Sequence, residues 1–155
     1  MKHFIIITAL LNLIAGSLTA QTTAAIRKKE FNIEKSGLAI QGYDPVAYFT
    51  GKAKEGNEKI TASYNGLLYR FASVENQKIF NATPEKYEPQ YGGWCAYAMG
   101  AKGEKVEVDP ETFKIINGKL YLFYNKFFNN TLKAWNKDEA RLKTNADINW
   151  KKIIP

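Results

Sequence analysis

Pro89-Gln90-Tyr91-Gly92-Gly93-Trp94-Cys95-Ala96-Tyr97-Ala98-Met99-Gly100 is the stretch that decides how this chain folds. It holds the only cysteine, an adjacent glycine pair, and alanines set between bulky side chains. Glycines bracket the run, which predicts a short helix entered by a sharp backbone reversal at Gly92-Gly93 and closed by a left-handed cap at its final glycine, Gly100. So short a helix has no stability of its own in water and must be packed inside a domain.

Toward the amino terminus, Asn65-Gly66 is the residue pair preferred in two-residue type I′ hairpins. Pairing outward from it sets Tyr64 against Leu67, Ala62 against Tyr69 and Ile60 against Phe71 on one face, with Thr61, Ser63, Leu68 and Arg70 on the other. Ser73 then caps a helix through Phe80, and Thr83-Pro84-Glu85 starts a shorter one ending near Tyr87. Toward the carboxy terminus, Asn117-Gly118 sets Ile115 against Leu120 and Phe113 against Leu122, and Tyr121 to Tyr124 reads as a strand buried on both sides. A helix is expected from about Asn130 to Lys143, with Leu132, Trp135 and Leu142 on one stripe. Alternating hairpins and short helices, without long parallel crossovers, give an α+β fold with a single compact domain over residues 36–150. Residues 21–35 read as a linker becoming a short edge strand, and residues 151–155 as a tail. Two Asn-Gly hairpins, each followed by a capped helix, leave open both an internal duplication and separate use of a common turn.

At the start of the chain, Lys2, the apolar run Phe4 to Ile14, and the small residues ending at Ala20 form the pattern of a signal peptide over residues 1–20, cleaved before Gln21. The apolar part is short for a bilayer span. The expectation is an exported chain, periplasmic or secreted, with no transmembrane segment after cleavage. Cleavage removes Lys2, one unit of the formal net charge of +7, and His3, the single histidine. An exported chain without imidazole excludes three-histidine zinc sites, Cys-His dyads, Ser-His-Asp triads and a histidine general base. A lone cysteine excludes an internal disulfide and leaves Cys95 as a buried thiol, a ligand, a reactive thiol or half of an intermolecular bridge. The positive charge is spread along the chain, which describes solvated surface and no nucleic-acid site.

With Gly92-Gly93 as the entry turn, Cys95 falls in the first helical turn, where unpaired N–H groups and the helix dipole favour a thiolate. Met99, four residues on, shares that helix face, and a thiolate with a thioether is a soft pair suited to monovalent copper. A free cysteine is equally at home as a small buried hydrophobe. Asp44 and Asp109 each precede proline, the order of a helix cap and first helical residue, and the turn after Asp44 points Tyr48 and Phe49 inward. A ligand pocket around Cys95, walled by Tyr43, Tyr48, Trp94 and Tyr97 with Asp44 and Asp109 at hand, is the candidate site. Three functions follow: a non-catalytic domain binding a small ligand or a soft metal ion such as copper through Cys95 and Met99, a thiol-redox protein or enzyme using Cys95, and a protein-interaction module in which Cys95 is core.

Tyr64-Asn65-Gly66-Leu67-Leu68-Tyr69-Arg70-Phe71-Ala72-Ser73, continuing to Phe80, Pro84 and Tyr87, and Gln90-Tyr91-Gly92-Gly93-Trp94-Cys95-Ala96-Tyr97-Ala98 together resemble a YHS domain. The flanking Gly42-Tyr43-Asp44-Pro45-Val46-Ala47-Tyr48-Phe49, Asp109-Pro110, Asn117-Gly118-Lys119-Leu120-Tyr121-Leu122 and Ala146-Asp147-Ile148-Asn149-Trp150 resemble its exported, single-domain branch. The resemblance covers about residues 36–150 and implies a small α+β domain. It also implies kinship with domains that accompany metal-handling proteins and have been proposed to bind metal through cysteines.

Overall fold

The computed structural model describes residues 23–154, so the signal peptide read over residues 1–20 lies outside the described residues. The architecture is α+β, built on two long antiparallel hairpins. Strands β1 (Asn57–Tyr64) and β2 (Leu67–Phe71) form the first, and β3 (Asp109–Ile116) and β4 (Lys119–Phe123) the second. Asn65-Gly66 and Asn117-Gly118 have positive φ at both turn residues, as type I′ requires. The pairs Tyr64–Leu67, Ala62–Tyr69, Ile115–Leu120 and Phe113–Leu122 form as the turns dictate. Phe71 pairs with Asn57 instead of Ile60, because β1 bulges between Asn57 and Thr61. Gly56 lies just before the bulge, and a Cβ there would stand 2.5 Å from Arg70 Cβ and 2.6 Å from the Arg70 carbonyl carbon.

The second hairpin repeats the first, bulge included. Asp109 pairs with Phe123 as Asn57 does with Phe71, and the side chains of Asn57 and Asp109 each accept the backbone N–H two residues on. The likeness extends to the segments before the hairpins. Ile40, Gln41 and Gly42 are left-handed (φ 54°, 52°, 83°), as are Tyr91, Gly92 and Gly93 (55°, 60°, 84°). A short bridge joins Leu38 to Leu68 in one half and Pro89 to Leu120 in the other. The N–H of Asp44 donates to Lys54 O and that of Cys95 to Val106 O. Each helical turn that follows ends on a left-handed glycine, Gly51 or Gly103. The domain is therefore two structural repeats, and Asp44 and Cys95 hold the same position in them.

Helices fill the remaining space. α2 (Val74–Ala82) is capped by Ser73, whose hydroxyl accepts the Asn76 N–H, and α3 (Pro84–Tyr87) begins on its proline. α4 (Ala96–Lys102) ends on Gly103, while Gly100, expected as the cap, lies inside the helix against the Leu142 backbone. Asp109-Pro110, expected to cap a helix, opens β3 instead. Its carboxylate is occupied by the Glu111 N–H and the Thr112 hydroxyl, which stabilise the bulge.

The helix expected over 130–143 is two helices, α5 (Thr131–Trp135) and α6 (Glu139–Ile153), and the second takes in most of the expected tail. No glycine or proline interrupts 139–153, and Leu142 and Ala146 bury one stripe of α6 one turn apart. Residues 23–30, expected as linker, are helical (α1), and the edge strand shrinks to one bridge, Ile33 to Ala39. Ala24, Ala25, Arg27, Lys28, Lys29 and Glu30 are strong helix formers. Arg27 is no surface charge: 12% exposed, it pairs with Glu88 and stacks 4.4 Å over the Phe31 ring.

β4 separates two cores because alternate residues of a strand face opposite sides. Leu120 and Leu122 join the core with Tyr48, Tyr69, Phe71, Phe80 and Cys95, and Tyr121 and Phe123 join the one with Tyr91, Met99, Trp135 and Leu142. Burial raises the phenol pKa of Tyr48, Tyr69, Tyr91 and Tyr121, and neighbouring carboxylates, Glu88 at Tyr69 and Asp147 at Tyr91, add to it. Folding thus favours the neutral phenol. Stability from these groups is complete below the unfolded tyrosine value of about 10 and is lost as pH rises above it. The expected result is cooperative alkaline unfolding, in which phenolate absorbance and loss of the circular dichroism signal rise together. Full ionisation with the native spectrum retained would contradict the packing.

Candidate functional site

Cys95 is the N-cap residue of α4, in non-helical backbone (φ −58°, ψ 115°) just before the first helical turn. The preceding left-handed turn needs glycine at 92, where a Cβ would meet Trp150 at 2.8 Å and Phe31 at 2.9 Å. The thiol is fully buried. Its sulfur accepts the Tyr124 N–H at 3.3 Å and contacts the Thr131 hydroxyl at 3.4 Å, and that hydroxyl reaches Tyr124 O at 2.9 Å. The thiol thus ties α4 to the end of β4 and the start of α5.

Asp44 does the corresponding work in the first repeat. Its Oδ2 accepts the Ala72 N–H at 2.8 Å, the equivalent of Tyr124, and the Asn76 amide at 2.7 Å. Its Oδ1 accepts the N–H groups of Val46 at 2.8 Å and Ala47 at 3.3 Å. The carboxylate is fully buried, and its oxygens are engaged by the fold.

The other expected site residues divide among separate places. Tyr48 is sealed in the core, its hydroxyl donating to Pro110 O at 2.8 Å and its ring edge-on to Phe113. Trp94 donates its indole N–H to Glu30 O at 2.7 Å and so holds down α1. Tyr43 and Asp109 line a shallow groove with Glu34, Gln41, Glu55 and Glu111, where the Tyr43 hydroxyl donates to Glu111 and its phenol pKa is raised, by burial first and then by Glu111. Met99 packs in the second core, with Tyr91, Trp135 and Leu142, while Cys95 belongs to the first. Among the described residues, no group of three or more His, Cys, Asp or Glu is placed to hold a metal ion.

Of the expected residues, Tyr97 lines an open groove together with Cys95. The groove, of about 270 Å3, lies between α4 and a small hairpin, β5 (Asn125–Lys126) and β6 (Asn129–Asn130). Ala98, Ala101, Val106 and Tyr124 supply its apolar surface, Lys102 and Glu104 stand among its polar lining, and Cys95 lies beneath the floor. A larger depression of about 680 Å3, bordered by Lys28, residues 33–37 and β2, holds none of the expected residues.

The β5–β6 hairpin was not legible as a site element. Its turn residues, Phe127 and Phe128, are 89% and 111% exposed, and both are left-handed (φ 53° and 63°). An adjacent aromatic pair between Asn125-Lys126 and Asn129-Asn130 is the signal that marks it. Among the described residues no helix is long and apolar enough to cross a membrane. Comparison with protein-family models, with curated proteins and with solved structures gives no match, so the functional reading rests on the residues themselves.

Proposed function

We propose that this protein is an exported, YHS-like, non-catalytic binding module whose recognition site is the groove between α4 and the β5–β6 hairpin. Cys95 serves as the framework beneath that groove. The observation that carries this reading is a sealed, hydrogen-bonded thiol under an open apolar groove. A reacting cysteine needs solvent access and an electropositive setting, and a soft metal site needs a second soft ligand beside the sulfur. The neighbours here are a backbone N–H and a hydroxyl. The leader pattern over residues 1–20 supports export, and the motifs quoted above support the YHS likeness.

Two measurements test the reading. A disulfide reagent should leave Cys95 untouched in native protein and modify one thiol per chain after denaturation. The fluorescent apolar probe anilinonaphthalene sulfonate should bind the native protein and lose that binding in Ala101→Trp, which fills the groove from an exposed position of α4. Rapid native modification of the thiol, or tight one-to-one binding of monovalent copper abolished by Cys95→Ser, would return the function to the sulfur and overturn the proposal.

A further inference from the structure

The two repeats provide an internal control for what the fold requires. In the first, Ala72 at the end of its hairpin is followed at once by the helix cap Ser73. In the second, residues 125–129 intervene between Tyr124 and the cap Asn130, and together with that cap they form the β5–β6 hairpin. Since the first repeat closes without such an insertion, the hairpin is an addition to the repeat's architecture. At its turn stand two phenylalanines in left-handed conformations that bulky L-residues avoid, where the chain's two other hairpins place Asn-Gly. Both rings project into solvent. Strain and exposure together gain the isolated domain nothing, and they set two rings at its outermost point.

We propose that Phe127 and Phe128 of one copy dock into the α4 groove of a second copy, which makes the protein a two-fold symmetric dimer. This rests on the groove being the recognition site and names its occupant. Tip and groove lie side by side, since Asn129 and Tyr124 from the hairpin and its approach line the groove. A self-complementary patch with donor and acceptor adjacent is what an isologous two-fold contact uses, each copy giving its tip and receiving its partner's. The fit is one of size and chemistry: a cavity of about 150 Å3 accommodates one benzene ring, so this groove of about 270 Å3, bordered by Tyr97, Ala98, Ala101 and Val106, takes one ring inside and leaves the second against its open rim.

On the hairpin's other side lies a groove holding Glu34, Glu55, Asp109 and Glu111, with Lys126 of the hairpin as its one lysine. That acidic strip beside the tip disfavours an anionic lipid surface as the occupant.

Sedimentation velocity over a concentration series, on protein recovered after export from an expressing cell, tests the proposal. Wild type should shift from monomer to dimer with rising concentration. The double variant Phe127→Ser/Phe128→Ser and the variant Ala101→Trp should each remain monomeric with unchanged circular dichroism and melting. Mixing them should restore a heterodimer, because one supplies an intact groove and the other an intact tip. Wild type monomeric at every concentration, or a dimer that persists in either variant, overturns the proposal. Monomeric wild type that floats with phosphatidylcholine vesicles through Phe127 and Phe128 overturns it in favour of a lipid surface. Monomeric wild type that still binds anilinonaphthalene sulfonate in the groove removes the second copy and leaves the groove as the binding site, whereas loss of both removes the two readings together.

Discussion

Asp44→Ala is expected to cost about 4 kcal/mol or more, a large fraction of the stability of a domain this size. Four donors converge on this fully buried carboxylate: the N–H groups of Val46, Ala47 and Ala72 and the Asn76 amide. Alanine strands the Val46 and Ala47 donors in a buried setting and removes the acceptor of the partly buried Ala72 and Asn76 donors, and each buried donor left unpaired costs about 1–3 kcal/mol. The bonds also join three elements, since the turn at Ala47–Thr50, the end of the first hairpin and α2 all meet on one side chain. Asp44→Asn retains one carbonyl oxygen but turns N–H groups toward donors, so a loss of about 2 kcal/mol is expected. Urea denaturation followed by circular dichroism measures both. A loss below about 1 kcal/mol for the alanine variant would mean that the carboxylate is not the junction described.

The repeat relation sets a second expectation on the same instrument. Cys95 accepts one backbone N–H through a weak sulfur acceptor and makes none of the helix-capping bonds that Asp44 makes. Cys95→Ala should therefore cost less than Asp44→Ala, about 1–2 kcal/mol from the unpaired Tyr124 N–H and the small cavity.

What could be read from the sequence follows the range of the interactions involved. Asn65-Gly66 and Asn117-Gly118 fix their own backbone and the register of the nearest pairs, so those pairs were legible. The bulges lie farther out, where the close approach of Gly56 to Arg70 takes over, and no local pattern announces that. Helix α1 was missed because its polar residues resemble a linker until Arg27 finds Glu88 and Phe31 finds Trp150. The expected single pocket failed for a more instructive reason. Tyr43-Asp44 and Trp94-Cys95 are aromatic-rich segments that look like two walls of one cleft, yet they are the same element in successive repeats and serve separate junctions. Asp-Pro does cap at 44, where Asp44 accepts the Val46 and Ala47 N–H groups at the start of a helical turn, and misled at 109, where it opens a strand: the counterpart of Asp44 is Cys95, and that of Asp109 is Asn57.

Gly100→Ala should destabilise the protein by about 3 kcal/mol, although the same change in an exposed helix interior gains up to about 1 kcal/mol. Gly100 lies within α4 where that helix crosses α6, and a Cβ there would stand 2.3 Å from the Leu142 carbonyl oxygen, 2.9 Å from its carbonyl carbon and 3.1 Å from its Cα. All three are backbone atoms, so no rotamer change can relieve the clash. The helices must separate instead, and α6 carries Leu142 and Ala146, whose burial beside Met99 and Trp135 builds the second core. Separation loosens that whole cluster, because packed interiors respond to gaps of a fraction of an ångström. Gly103→Ala provides the contrast: its cost is the left-handed cap (φ 71°), about 1–2 kcal/mol, and its nearest neighbour is the Asn149 side chain at 3.2 Å, which can move. Thermal and urea unfolding of the two variants should rank Gly100→Ala as the more damaging. A Gly100→Ala protein as stable as wild type would show that α4 and α6 do not meet at that glycine.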